Sequence, residues 1–468
     1  MYQSTRSAST ASAKAALLQG IAPDGGLFVD PALASKAFDI EALRSLSYEE
    51  LAAKIIARLL PGFEDCAEEI VKVYPEKFDC SEITPLVKLG EDYVLELFHG
   101  PTSAFKDLAL SVLPRMMSFA KQREGLEEKI VVLTATSGDT GKAALEGFKN
   151  VKGTEIVVFF PNGGVSEIQR LQMVSQEGKN VRVFAVNGNF DDCQRGVKEA
   201  FAAQHEGVFL SSANSINIGR LIPQVVYYFY AYFRSGVSGK LDFVVPSGNF
   251  GDILAGYIAK LLGLPVGKLI CASNSNSVLY DFLSTGTYDA RRKLIKTLSP
   301  SMDILVSSNL ERLLFYASGG DWEYVSFLMK ELKEKGCYTV TPRIFETIRE
   351  SFAPAFCSEE GCLEAIGSLW SSHRYLCDTH TAVAYSALSS CRRENPCVVL
   401  STASPFKFPT AVLRGLGETP SENEFENLSL LSSLSGISIP RNLAELSCKP
   451  VLHSSVIEKS EIIKEALK

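Results

Sequence analysis

Lys106 is the side chain of this sequence best placed to act as a nucleophile. It lies in the segment HGPTSAFKD, where Ser103 is a plausible helix N-cap and would put Lys106 in the first turn of a helix that continues as LALSVLPRMM. A cation at that end opposes the helix dipole, which lowers the pKa of the amine, and a neutral amine can attack a carbonyl carbon. Most lysines are instead solvated on the surface, and the apolar neighbours Ala104 and Phe105 argue only in part against that alternative.

A glycine-containing turn could bind a phosphate group. Ser247, Gly248, Asn249, Phe250 and Gly251 lie between an apolar strand pattern and an apolar helix pattern. Glycine lets the backbone come close to a ligand, and a helix N-terminus offers free N–H donors to an anion. The turn has no Walker-type lysine and no GxGxxG pattern, so it gives little support to ATP or a dinucleotide. Taken alone, it fits a phosphate cradle and an ordinary strand-to-helix turn equally well.

Two polar segments follow apolar strand patterns and could add hydroxyl groups to the same cleft. Ser137, Asp139 and Thr140 come after a strand and open a helix, where hydroxyl and N–H groups suit a carboxylate. The segment STASP, which contains Thr402, follows the apolar run Cys397–Leu400. Both segments are therefore candidates for binding a ligand.

Asn214, Ser215 and Arg220 form a second candidate phosphate site. They lie in the segment NSINIGR, and a guanidinium group can bind a phosphate with two parallel hydrogen bonds. The alternative is a helix start that carries a surface arginine.

Strand patterns alternate with helix patterns along the chain, which indicates parallel sheets with helices on both faces. In such sheets ligands bind at the carboxyl ends of the strands, where the candidate turns lie. Residues 36–76 and 321–376 are predicted to be mostly helical, and the weak pattern after Pro420 predicts a peripheral tail. The predicted strands are Ile130–Ala135, Glu155–Phe160, Val181–Val186, Leu241–Val245, Leu269–Ala272 and Cys397–Leu400.

The composition is that of a globular protein of two or three domains. The 468 residues include 46% hydrophobic and 22% charged residues, and the net charge of −7 argues against non-specific binding to nucleic acid. The 11 cysteines are scattered from Cys66 to Cys448 without paired spacing, which favours a reducing cytosol over a disulfide framework. No stretch approaches the ~18 apolar residues of a transmembrane helix. His373, Cys377, Asp378 and His380 could be read as a metal cluster, but they have no partner pair elsewhere in the sequence, so no metal is expected.

Five segments, taken in order, resemble the signatures of threonine synthases. These segments are HGPTSAFKD, TATSGDTG, NSINIGR, PSGNFGD and STASPFKFP. The openings Tyr2–Arg6 and Gln19–Phe28 also resemble that family, so the resemblance covers roughly residues 1–415. It replaces a transit-peptide interpretation of the Ser- and Ala-rich start, because Tyr2–Arg6 is similar to the start of mature bacterial members.

The resemblance implies an α/β fold of the fold-type-II class of pyridoxal-phosphate (PLP) enzymes, similar to the β subunit of tryptophan synthase. Two α/β domains with parallel sheets would follow an N-terminal, mostly helical region. The expected boundaries are 1–80 for the N-terminal domain, 81–106 with 226–420 for the large PLP domain, 107–225 for the small domain and 421–468 for the tail.

The resemblance also implies the roles of the candidate residues. Lys106 would be the catalytic Schiff-base lysine, Ser247–Gly251 would bind the PLP phosphate, and Thr402 would face the pyridine nitrogen. The first hydroxyl segment, containing Ser137, Asp139 and Thr140, would approach the substrate carboxylate or the cofactor's 3′-oxygen. The segment with Asn214, Ser215 and Arg220 would bind the substrate phosphate.

The implied reaction is γ-elimination followed by β-addition, which converts O-phosphohomoserine and water to threonine and phosphate as the last step of threonine biosynthesis. The implied protein is a cytoplasmic monomer or homodimer that binds a small-molecule substrate, with no nucleic acid and no membrane. The sequence departs from the family pattern at Thr379, where proline is usual, at Ser404, where histidine is frequent, and at Ser7, where glycine is common. The departure at Ser404 puts any role of a histidine near that position in doubt.

Three alternatives remain at this level. Threonine dehydratases and cysteine synthases share the fold type but act at Cβ, so they need no site for a Cγ phosphate, and Asn214, Ser215 and Arg220 discriminate against them. A related phospholyase would be separated only by its products. A non-catalytic relative would not need an intact Lys106 and phosphate cradle.

Overall fold

The computed structural model describes residues 1–78, 80–136, 138–202, 207–391 and 393–468. Its strands are β1 (Tyr2–Ser4), β2 (Thr10–Ala11), β3 (Phe28–Val29), β4 (Leu86–Leu89), β5 (Asp92–Glu96), β6 (Lys129–Ala135), β7 (Thr154–Pro161), β8 (Val181–Asn187), β9 (Val208–Ser212), β10 (Leu241–Pro246), β11 (Val266–Ser273), β12 (Thr287–Asp289), β13 (Cys337–Thr339), β14 (Phe352–Phe356), β15 (Cys397–Ser401) and β16 (Val456–Glu458).

The α-helices lie between and around these strands. They are α1 (Ala13–Gln19), α2 (Tyr48–Leu59), α3 (Ala67–Val71), α4 (Val73–Lys77), α5 (Lys106–Leu110), α6 (Leu113–Glu124), α7 (Asp139–Phe148), α8 (Glu167–Val174), α9 (Phe190–Ala202), α10 (Ile218–Ser235), α11 (Gly251–Leu261), α12 (Val278–Thr285), α13 (Leu310–Ala317), α14 (Trp322–Lys335), α15 (Pro342–Ser351), α16 (Glu359–His373), α17 (Thr379–Ser390), α18 (Pro409–Gly415), α19 (Glu424–Ser435), α20 (Arg441–Ala444) and α21 (Ile462–Ala466).

The larger sheet has six strands in the order β14-β11-β10-β15-β5-β4. Its strands are parallel except β4, which pairs antiparallel with β5. Alternate residues of its central strand β10 face opposite sides. Phe243 and Val245 pack toward α10 and α11, and Val244 packs in the cluster that contains Ala382 and Val383 of α17. Burial on both faces explains why the strand reads as a continuous apolar run.

The smaller sheet has five parallel strands in the order β16-β8-β7-β6-β9. Ile130 and Val132 of β6 face the main core, and Val131 and Leu133 face a separate cluster on the other side. The predicted strands of both sheets are present, most of them longer by one or a few residues, which confirms the expected α/β architecture with parallel sheets.

The N-terminal region contains helices that pack against α10. Helix α2 begins at a capping box in which Ser47 and Glu50 satisfy each other's backbone N–H groups, and its buried face includes Leu51 and Ile55. The prediction of helix over 36–76 is correct for its centre, but turns separate α2, α3 and α4. Pro61 and Gly62 follow the end of α2, since proline cannot continue the hydrogen-bond pattern.

The chain after Pro420 does not only lie on the periphery. Strand β16 pairs in parallel with β8 at the edge of the smaller sheet, and Leu452 and His453 bond through their N–H groups to the carbonyl of Val174. Ile457 and Ile462 are buried in the outer cluster of that sheet. The weak sequence pattern arises because these short elements gain their order from the sheet they cover. No helix among the described residues is long and apolar enough to cross a membrane.

Candidate active site

A cavity of about 730 Å³ lies where the carboxyl ends of the two parallel sheets face each other. It receives the segments that follow β6, β9, β10 and β15, as expected for parallel sheets. Twelve of the predicted site residues line it, and Ser137 lies outside the described residues. The twelve are Lys106, Asp139, Thr140, Asn214, Ser215, Arg220, Ser247, Gly248, Asn249, Phe250, Gly251 and Thr402.

Lys106 is the first residue of the short helix α5 and is 8% exposed. Burial lowers the pKa of its amine, and the nearby carboxylate of Asp139 opposes that shift. The Lys106 Nζ lies 3.7 Å from Asp139 Oδ2 and 4.5 Å from the centre of the Phe105 ring. Attack on an aldehyde carbon requires a neutral amine, and the lowered pKa makes the Lys106 amine easier to deprotonate.

The expected start of this helix is wrong in one detail. Ser103 is not the N-cap: it has a left-handed backbone with φ of 59°, and its hydroxyl donates to Asn442 Oδ1 at 3.0 Å. The helix also ends at Leu110, and a new helix begins at Leu113 with Pro114 in its first turn, where the missing N–H of proline needs no acceptor. The carboxylate of Asp107 stabilises the bend before α5. It accepts hydrogen bonds from the backbone N–H and the hydroxyl of Thr102 at 2.8 and 2.6 Å.

The turn after β10 is built for close approach. The carbonyl oxygens of Gly248 and Asn249 accept hydrogen bonds from the 307–309 segment at 2.8 to 3.1 Å. The first N–H groups of α11 have no acceptor within the helix, so they are available to a ligand in the cavity. A Cβ atom at Gly248 would lie 2.9 Å from the carbonyl oxygen of Ser301, so a larger residue would displace the opposite wall.

Arg220 lies in the first turn of α10, which Asn217 caps by accepting from the N–H of Gly219 at 2.9 Å. It is 3% exposed, and burial lowers the pKa of its guanidinium to about 10. Its Nη1 donates to the carbonyl of Ala213 at 2.7 Å, and its Nε is buried without a partner. Among the described residues it forms no ion pair with a carboxylate, and its side chain lines the cavity.

Two neighbours of Arg220 also carry buried oxygens without partners. Asn214 Oδ1 is one, and Gln224 Oε1, one helical turn beyond Arg220, is the other. Both residues line the cavity. Sequence reasoning missed Gln224, although its spacing of four residues from Arg220 within the apolar face of a helix was a usable signal.

Asp252 follows the glycine turn and was also missed. The hydroxyls of Tyr227 and Tyr228 both donate to its Oδ1, and its Oδ2 is buried without a partner. Burial raises its pKa to about 6. A carboxyl group with that pKa beside the cavity changes its charge near neutral pH.

His380 forms part of the wall opposite the glycine turn. Its Nδ1 lies 2.6 Å from Asp378 Oδ2, and the N–H of Ser301 donates to its Nε2 at 3.2 Å. The two contacts together place the proton on Nδ1 and leave Nε2 as an acceptor. His380 therefore fixes the segment that faces Gly248. No cluster of metal-ligating side chains occurs in the part of the chain that the structure describes, and His380 is engaged as a structural residue.

Arg312 connects the loops around the cavity. It is fully buried and donates to the carbonyls of Phe28 and Ile216 at 3.0 and 2.6 Å. It also contacts Asn309, whose N–H groups bond to the carbonyl of Asn249. One side chain thus joins the N-terminal domain to both candidate phosphate sites.

The residues present fit a PLP molecule. A lysine with lowered pKa, a glycine turn that a Cβ atom would fill and the hydroxyl of Thr402 face one cavity. A family model for pyridoxal-phosphate-dependent enzymes matches residues 81–402. Together with the two parallel sheets, this defines an enzyme that depends on pyridoxal phosphate.

Models for the threonine synthase N terminus and for the C-terminal region of threonine synthase match residues 1–74 and 381–447. Threonine synthase from Pseudomonas aeruginosa is 42% identical, covering 86% of this chain and 88% of that protein. The Saccharomyces cerevisiae enzyme is 39% identical over 96% of this chain and 93% of its own length. This chain belongs to the threonine synthase family.

Solved structures agree with this assignment. A PLP-bound threonine synthase from Brucella melitensis superposes with a TM-score of 0.88 at 38% identity, covering 100% of this chain and 99% of that chain. Yeast threonine synthase gives a TM-score of 0.89 at 37% identity, covering 99% and 97%. The expected fold class and cofactor are therefore confirmed.

Proposed function

We propose that this chain converts O-phospho-L-homoserine and water to L-threonine and phosphate. Arg220 carries the proposal, because its buried guanidinium lacks a carboxylate partner among the described residues and faces the cavity that contains Lys106. A leaving phosphate would supply the missing negative charge. An enzyme that acts only at Cβ has no use for this second anion site, which favours a substrate phosphorylated at Cγ.

The proposed binding sites follow from the positions of the side chains. Lys106 is the cofactor-bearing lysine, and the Ser247–Gly251 turn binds the cofactor phosphate through its N–H groups and hydroxyl. Thr402, which is 6% exposed, would offer its hydroxyl to the pyridine nitrogen. A hydroxyl does not hold that nitrogen protonated as a carboxylate would, which discourages transamination. Bound PLP supplies the electron sink for carbanions formed on the substrate.

Lys106 also moves protons in the proposed mechanism. Its neutral amine would remove the Cα proton of the substrate and later a Cβ proton. Arg220, with Asn214 and Ser215, binds the phosphate as it leaves Cγ. Protonation of Cγ and addition of water at Cβ complete threonine.

The substrate carboxylate belongs with Thr140 and the N–H groups at the start of α7. Asp139 lies beside them, but its carboxylate accepts from Gln169 at 3.1 Å and pairs with lysines, so it is unsuited to bind a second carboxylate. We assign Asp139 to the environment of Lys106 instead. Ser137 remains a candidate for the carboxylate site on sequence grounds alone.

The reaction is tested by measuring phosphate and threonine together from phosphohomoserine. Equal amounts of both products are expected. Release of phosphate without threonine would favour a related phospholyase instead. No release of either product would contradict the proposal.

The assignment of Lys106 is tested by reduction with borohydride followed by peptide mapping. The cofactor should remain on the peptide that contains Lys106. Label on another lysine, such as the buried Lys142, would refute the assignment.

We also propose a cytoplasmic location and a monomer or homodimer. The eleven cysteines all lie in described residues and none forms a disulfide, which supports a reducing compartment. Sedimentation of the holoenzyme distinguishes the two assembly states.

A further inference from the structure

Asp139 lies between two lysines in the cavity wall. Lys407 Nζ is 2.7 Å from its Oδ1, and Lys106 Nζ is 3.7 Å from its Oδ2. The Lys407 side chain is 0% exposed and that of Asp139 is 2% exposed. The carboxylate is therefore shared between the proposed cofactor lysine and a second, fully buried lysine.

Three separate elements hold this arrangement in place. Lys407 lies in a 3₁₀ turn after β15 that Ser404 caps, and its Nζ also donates to the carbonyl of Thr102 at 3.1 Å. Gln169 of α8 donates to Asp139 Oδ1 at 3.1 Å. A Cβ atom at Gly138 would lie 2.4 Å from the Gln169 amide, so glycine is needed for this contact.

Burial and neighbouring charges shift the pKa values of both Lys106 and Asp139. Burial lowers the pKa of Lys106, Asp139 raises it, and the cations Lys407 and Arg220 lower it again. Burial alone would raise the pKa of Asp139, but Lys407 and Lys106 together hold it well below its usual range. Three more titratable groups act on the two residues, namely Asp107 and Asp252 on Lys106 and His380 on Asp139. Lys407 is the cation closest to Asp139 and therefore has the strongest electrostatic attraction to its carboxylate.

We propose that Lys407 is a positioning residue that neutralises Asp139, so that Asp139 orients Lys106 without holding it as an ammonium ion. The inference rests on the proposed role of Lys106 as cofactor lysine. Lys407 is needed because the buried carboxylate of Asp139, without a second cation, would stabilise the protonated amine of Lys106. With Lys407 present, the carboxylate keeps its geometry and Lys106 can lose its proton.

The test measures how the apoenzyme captures PLP as a function of pH, by absorbance in a stopped-flow instrument. In the captured state the neutral Lys106 Nζ has bonded to the aldehyde carbon, and the carbonyl oxygen has left as water with both amine protons. Lys407→Met should move the pH profile upward, with capture about tenfold slower at a fixed pH below the wild-type midpoint. Asp139→Asn should move it downward, and the double variant should return near the wild type.

Lys142→Met is the matched control. Lys142 is also a buried lysine, but it contacts Gln176 and Glu146 and has no contact with Asp139 among the described residues. Its replacement should leave the pH profile unchanged, which separates a charge effect from a general effect of losing a buried lysine.

The outcomes distinguish the inference from the function on which it rests. Borohydride label found away from Lys106 in the wild type refutes the proposed function. Label on Lys106 with an unchanged profile in Lys407→Met overturns the role of Lys407. The role of Lys407 is also overturned if the upward shift of the pH profile persists in the double variant or if Lys142→Met produces the same shift. An upward shift that Asp139→Asn reverses supports the proposal.

Discussion

At the scale of single residues, the proposed preference for a phosphorylated substrate depends on Arg220. Its guanidinium is buried, bonded to one backbone carbonyl and without an ion pair among the described residues. Keeping a cation in this state costs desolvation energy, which a bound anion offsets. A fork of two parallel donors also suits a phosphate better than the point charge of lysine.

Arg220→Lys should therefore lower kcat/KM for phosphohomoserine about ten- to hundredfold, and Arg220→Ala should lower it further, because a charge-assisted hydrogen bond contributes roughly 1.5–3 kcal/mol. The cofactor spectrum should not change, since the turn proposed to bind the PLP phosphate is a different segment. The measurement is steady-state phosphate release. Arg234→Lys, at the exposed end of the same helix, is the control. Near-normal turnover in Arg220→Ala would mean that the segment only starts a helix.

Asp252 should make stability depend on pH. Burial raises its pKa from 3.8 to about 6, so the folded protein holds a proton that the unfolded chain has lost between these values. Stability from this group is therefore complete below pH 4 and is lost as the pH rises through 6.

Asp252→Asn stays neutral and should be more stable than the wild type, with a gain larger at pH 8 than at pH 5 by about 1–2 kcal/mol. Thermal unfolding of the two apoproteins at both pH values measures this difference. An equal gain at both values would show that titration of Asp252 is not its cause.

At the scale of elements, the site depends on close contacts between turns. The glycine turn after β10 meets the wall at 300–303, which His380 fixes through Ser301. The segments that contain Lys106 and Thr402 are also joined, since the N–H of Phe105 donates to the carbonyl of Thr402 at 2.9 Å. The cavity is thus shaped by backbone contacts as much as by side chains.

Gly248→Val should strongly weaken PLP affinity, because the new Cβ would lie 2.9 Å from the Ser301 oxygen and 3.2 Å from Met302 Cα. The two walls would have to separate, which moves the N–H donors away from the phosphate. Cofactor occupancy after dialysis measures the effect. Gly239→Val is the control, since a Cβ atom there has no neighbour within 4 Å. Unchanged occupancy in Gly248→Val would count against the assignment of the turn.

At the scale of the whole molecule, the C-terminal segment completes the smaller sheet. Strand β16 extends the small sheet, and α21 covers its outer face through Ile462 beside Gly196 of α9. Because the elements are short, they depend on the sheet for their order and the sheet depends on them for its burial.

Removal of residues 450–468 should expose the outer cluster of the small sheet. Cys193, which is 0% exposed within that cluster, should then react faster with a maleimide, as followed by mass spectrometry. Cys377, buried in the separate cluster of the large domain, should stay protected. Equal protection of both thiols in the truncated protein would show that the tail does not cover this face.

The sequence by itself determined the central strands of both sheets, the parallel architecture and the turns that line the cavity. Apolar runs such as β10 and the turn that follows it are local patterns, and the carboxyl ends of parallel strands meet at one edge whatever the details of packing. Lys106 could therefore be placed at the start of a helix and the Gly248 turn at the end of a strand. The family resemblance supplied their roles in one site.

Only the tertiary structure decided which charges meet. Lys407 and Asp139 are far apart in the chain, and no local pattern joins them, yet their charges lie 2.7 Å apart in a buried wall. The left-handed backbone of Ser103 and the contact between Gly248 and Ser301 likewise depend on neighbouring segments. The physical reason is that burial and side-chain pairing are properties of packed surfaces, which the periodicity of a single segment does not contain.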